Sequence, residues 1–130
     1  MEINDLFLDE LSKKAACSPR LRMNYDLRNT SQDLSQRMLN AVEPGSAPPI
    51  HRHLDTSATV LIVRGRIDSI FYDDAGKEIK RFKLDAQKGP YGVQIPKGQW
   101  HSLESQESGS VIFEAKDGLW HPIEGDELLK

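Results

Sequence analysis

Ile3, Leu6, Phe7, Leu8 and Leu11 recur at spacings of three and four, which predicts one short amphipathic helix at the N-terminus. Asn4 or Asp5 can cap its start, and Lys13 and Lys14 sit near its end. Pro19 forbids an easy continuation. The stretch SPRLRMNYDLRNTSQD is polar and irregular, so residues 18–35 read as a loop or extended arm. Beyond it the period changes. Residues 36–43, 58–64, 66–72, 78–84, 92–95, 101–105 and 110–115 are short and either alternate or are rich in β-branched residues, so they are strand-like. Between them lie EPGSAPP, RG, DDAG, QKGP, PKG and ESG, each with Gly or Pro where the backbone must reverse. Many short strands with regular turns predict an all-β sandwich or barrel over residues 36–122. It follows a helical segment at 1–17 and the arm, and an acidic, loosely held tail at 123–130 ends the chain.

Composition narrows the class. At 130 residues the chain fits one domain with one core, and 38% hydrophobic with 28% charged residues is ordinary for a globular protein. A net charge of -3 with scattered Lys and Arg gives no footprint for a phosphate backbone, so nucleic acid is not an expected partner. The start, MEINDLFLDELSKK, is acidic where a secretory signal would be basic and then apolar, so a cytoplasmic location without membrane attachment is expected. Cys17 is the single cysteine, a spare thiol that excludes an internal disulfide.

The chemistry gathers in HRHLDTSATVLIVRG, residues 51–65. On a strand, His51 and His53 would project from the same face toward a common point. A third histidine, His101, follows IPKGQW, where Pro96 and Gly98 can make a tight turn into a new strand and bring it in from across the barrel. Histidine is the commonest metal ligand and binds when neutral. The alternative is a set of ordinary surface histidines with Arg52 marking a solvated edge, and spacing leaves both readings open.

These residues resemble the cupin family, whose first motif is H-x-H-x(3,4)-E-x(6)-G and whose second contains P-x-G-x(2)-H. His51, His53 and Gly65 match the first in full register; Pro96, Gly98 and His101 match the second. The glycine usual six residues before Pro96 is displaced, with Gly89 and Gly92 on either side, and Ser105 stands at the usual asparagine. More narrowly, SPRLRMN, QRMLNAVEPGS, HRH, RGRI, YDDAG, IPKGQWH and FEAKDG are similar to the small WbuC-type cupin-fold metalloproteins of bacteria, from Ser18 to about Pro122. The resemblance implies a single-domain double-stranded β-helix, or jelly-roll barrel, with a metal inside. It also implies an association with bacterial surface-polysaccharide gene clusters, which says little about chemistry.

Ala58 departs from the pattern, standing where the family has a carboxylate. The expected shell is then His51, His53 and His101 plus water or a ligand, more positive and more open than a two-histidine, one-carboxylate triad. Such a shell suits a divalent zinc, iron, nickel or manganese ion and favours anionic ligands. Asp55 and Glu104 do not replace the carboxylate readily, Glu104 having the wrong parity. Asn40, on a face with Met38 and Val42, and Gln94 are candidate ligand-binding residues; a backbone-satisfied Asn40 and an outward Gln94 are the equal alternatives. The functional expectation is a metal-dependent cupin acting on a small polar or anionic, sugar-like molecule. Against it stands a metal-free ligand-binding or structural cupin without turnover, and a homodimer through edge strands is open to either.

Overall fold

The computed structural model describes residues 1–130. The predicted helix is α1 (Asp5–Cys17), and of the two candidate caps it uses Asn4, whose side chain accepts the Phe7 N–H at 3.0 Å. It stops where Ser18 turns to an extended conformation, as the residue before a proline must. Eight strands follow: β1 (Arg22–Asp26), β2 (Ser35–Val42), β3 (Ala58–Arg64), β4 (Arg66–Tyr72), β5 (Glu78–Asp85), β6 (Gly92–Ile95), β7 (Trp100–Ser105) and β8 (Val111–Asp117). They form two antiparallel sheets, ordered β1-β2-β8-β3-β6 and β5-β4-β7.

The larger sheet is covered on both faces. Leu8, Leu11 and Ala15 of α1 pack with Leu39, Ala41 and Val111 on its outer face. The inner face supplies Val42, Ala58, Val60, Ile62 and Ile112 to a second cluster, closed from the smaller sheet by Ile67 and Leu84. Between the sheets this core gives way to a cavity. The β3–β4 turn depends on Gly65, at φ +82°, because a Cβ there would lie 2.9 Å from the Ser110 Cα and nearer still to its hydroxyl. No helix is long and apolar enough to cross a membrane.

Two segments depart from the sequence-based expectation. Residues 22–26 of the expected arm form β1, paired with β2 from Arg22↔Val42 to Asp26↔Met38. Its alternation is masked because the face carrying Arg22 and Asn24 meets the polar cavity, while Met23 packs beside α1. The tail is not loosely held. A 3-10 turn at Gly125–Glu127 carries Leu128 into a bridge with His51, and the Leu129 N–H donates to the Ile50 carbonyl at 3.1 Å.

Candidate metal centre

His51 and His101 lie opposite each other in an antiparallel bridge outside the regular ladders. The His51 N–H donates to the His101 carbonyl at 3.1 Å, and the His101 N–H returns to the His51 carbonyl at 2.8 Å. Directly opposed residues share a face, and so do residues two apart on one chain, which brings His53 to the same side. The Gly98 N–H fixes that second position by donating to the His53 carbonyl at 2.8 Å. Thus the Pro96–Gly98 turn is tied through the backbone to the first histidine pair. The rings gather with centroids 5.1 Å (His51–His53), 4.3 Å (His51–His101) and 5.3 Å (His53–His101) apart, and their ligand nitrogens all lie within 4.8 Å of one another.

The outer nitrogens of two of the three rings are engaged. Nδ1 of His51 faces the Pro49 carbonyl at 3.0 Å, and Nδ1 of His101 faces the Gln99 carbonyl at 2.9 Å. A carbonyl only accepts, so both Nδ1 atoms carry the proton and both Nε2 atoms keep a lone pair. Burial pushes His51 below its ordinary value, against the raising effect of the Pro49 carbonyl. Burial, and then the Lys116 charge, takes His53 down to about 3; burial, and then His51, takes His101 down to about 3. Three neutral imidazoles, two of them with rings oriented by a backbone carbonyl, fit a divalent first-row metal.

Ala58 is buried in the core, opposite Lys116 on β8 and Ile95 on β6. Where the family pattern has a carboxylate, this chain therefore has a methyl with an inward lysine beside it. The cavity holds about 380 Å³, within the range of small-ligand sites. Its apolar lining, Val60, Ile67, Leu84, Ile95 and Ile112, is continuous with the core. Glu114 and Lys116 line it from β8, two residues apart and hence on one face.

Asn40 lies where alternation put it, 8% exposed and lining the cavity, with its Oδ1 met by no protein group. The backbone-satisfied alternative does not hold. Gln94 is a correction: it is exposed on the outer face, where its Oε1 accepts the Thr59 hydroxyl at 2.6 Å, and it does not reach the cavity. β6 pairs Gln94 with Thr59, so both follow the outward parity set by inward Ala58 and Val60. Glu104 also points away, 3.5 Å from Arg81, as its parity required.

Two site residues escaped the sequence reading. Lys116 was legible in principle, since Ile112, Glu114 and Lys116 share the parity of an apolar inward position. Glu127 was not. It is 7% exposed, its Oε2 accepts the Leu54 N–H at 3.1 Å, and its Oε1 lies 3.5 Å from His121 Nδ1. Nothing local in EGDELLK signals that this acid returns to the histidine strand.

The model of a protein family described as a domain of unknown function, DUF6016, matches residues 3–84, which include His51 and His53. No curated protein sequence matches. Among solved structures, the chain is similar to the capsular polysaccharide assembling protein CapF from Staphylococcus aureus, at 22% identity and TM-score 0.67, over 82% of this chain and 29% of that one. It is similar to KdgF from a Halomonas species at 13% identity and TM-score 0.60, over 78% and 82% of the two chains. A cupin 2 domain-containing protein from Halorhodospira halophila aligns at 18% identity and TM-score 0.57, over 74% and 63%. The chain thus spans less than a third of the CapF chain. At these identities the likeness shows the fold, and the fold is a single-domain cupin jelly roll.

Proposed function

We propose that this chain, which belongs to the DUF6016 family, is a metal-binding cupin of the small WbuC type that uses its cavity to hold and act on a small polar or anionic molecule. One observation carries the reading: His51, His53 and His101 converge with nitrogens within 4.8 Å, two of them with Nδ1 already bonded to backbone. A divalent ion bound there supplies Lewis acidity to an oxygen of the bound molecule. The remaining steps belong to the chain. The histidines stay neutral at ordinary pH because they are buried, so no proton must be displaced before they ligate. Lys116 offers a cation where the missing carboxylate would have repelled an anion, and the apolar base excludes water from one side of the ligand. A sugar-like substrate in surface-polysaccharide metabolism is the finer form of the proposal, supported by the motif resemblance and by the fold shared with CapF.

Cobalt substitution tests the site. Adding Co(II) to metal-free, untagged protein is expected to give visible absorption bands of bound cobalt that saturate at one ion per chain. His101→Ala is expected to abolish them. Bands of equal strength in that variant would place the metal elsewhere and overturn the reading.

A further inference from the structure

Asn40 is the polar group in the cavity that the histidine cluster does not explain. Its side chain is more than nine-tenths buried on β2, it lines the cavity, and its Oδ1 has no partner in the protein. An unmet buried carbonyl oxygen costs free energy, and a core position flanked by Leu39 and Ala41 could carry an apolar residue instead. On neighbouring β8, Glu114 and Lys116 also face the cavity, and neither takes part in an ion pair or side-chain hydrogen bond.

From these three residues we infer that the cavity is built for a hydroxylated carboxylate, with Asn40 and Glu114 receiving hydroxyl groups and Lys116 receiving the carboxylate. A carboxamide both donates and accepts, as a hydroxyl does, so the two match in either orientation. The Lys116 ammonium offers a carboxylate a charge-assisted hydrogen bond, while Glu114 accepts only from a donor such as a hydroxyl. Arg20 and Arg22 also line the cavity and keep their positive charge, Arg22 being held only by the neutral Ser46 hydroxyl at 3.3 Å and Arg20 carbonyl at 3.4 Å, so the lining as a whole favours an anionic ligand. The inference deepens the metal-site reading and rests on it for the location of the ligand, but none of the three residues belongs to the histidine cluster.

The test uses three small probes that differ in one feature each: glycerate, glycerol and propionate. Ligand-observed NMR on zinc-loaded protein gives their dissociation constants, and elemental analysis of the same samples gives the zinc content. Glycerate is expected to bind at least tenfold more tightly than either analogue. Lys116→Met is expected to abolish the preference over glycerol, Lys116→Arg to restore it, and Asn40→Ala to abolish the preference over propionate, all with zinc retained. Equal binding of the three probes, no binding of glycerate, or wild-type preferences in both the Lys116→Met and Asn40→Ala variants would overturn the inference. Protein that takes up no zinc yet shows the expected preferences would refute the metal reading and leave the carboxylate site standing.

Discussion

Burial makes the histidines the most pH-sensitive feature of the molecule. In the unfolded chain a histidine takes a proton near pH 6.5, whereas His53 and His101 in the fold do so only at about 3. Below pH 6.5 the unfolded state therefore binds more protons, and stability falls as pH falls, by up to about 1.4 kcal/mol per pH unit for the buried His101 and by less for the partly exposed, solvent-screened His53. The loss ends near pH 3, where both states are protonated. Urea unfolding of metal-free protein between pH 7 and pH 4 is expected to show this slope, and His53→Gln is expected to lessen it; a flat profile would show that the imidazoles are hydrated and titrate normally. Asn40 gives the opposite sign to an ordinary core mutation. Because its Oδ1 is unmet, Asn40→Ala is expected to leave stability unchanged or raise it by about 1 kcal/mol, checked by denaturant midpoint. A loss larger than that would mark Asn40 as a structural residue. Alternation found Asn40 and misplaced Gln94 for one reason: a polar residue on a strand does not announce which face is inside. Inward Met38 and Val42 decided it for the first, whereas Gln94 had only Ile95 beside it and four residues of strand.

At the scale of elements, His101 sits on β7, whereas His51 and His53 belong to a segment that is not a regular strand. The His51 stretch is held by β7 on one side and by the tail on the other, where the Arg52 N–H donates to the Glu127 carbonyl at 3.0 Å and Arg52 Nε to the Asp126 carbonyl at 2.8 Å. Arg52 also lies 4.3 Å from the Trp100 ring, stacked instead of reaching freely into solvent. Glu127→Ala leaves the Leu54 N–H unmet and is expected to cost about 1–3 kcal/mol and to weaken zinc binding, while Glu127→Gln keeps an acceptor and stays near wild type. Paired denaturation and zinc titration check this, and equal behaviour of the two variants would remove the tail from the account. Strands β3 to β8 were legible almost residue for residue, because β-branched runs such as ATVLIVR end at glycine turns. β1 and the docked tail were not. β1 pairs with the next strand, but its Arg22 and Asn24 serve the polar cavity, and the tail's partner, the His51 stretch, lies far away in sequence, so hydrophobic periodicity carries no trace of either.

At the scale of the whole molecule, two sheets enclose one cavity that is apolar where it joins the core and polar around the histidines. The closure relies on tight turns. Gly65→Ala must adopt a left-handed conformation against Ser110 and is expected to destabilise the fold by about 2–4 kcal/mol, measurable by thermal melting. A melting temperature equal to wild type would mean that the turn repacks. The fold was readable because two short motifs fix both histidine positions and turns; the ligand class was not, because it depends on which side chains of β2 and β8 meet in space. The central proposal is that three histidines hold a metal with the Ala58 methyl, and no carboxylate, beside them. Elemental mass spectrometry on untagged protein, beside a His51→Ala and His53→Ala double variant, tests it most directly. Near-stoichiometric metal in the first and none in the second is the predicted result. No metal in either, even after incubation with zinc, iron and nickel, would contradict it.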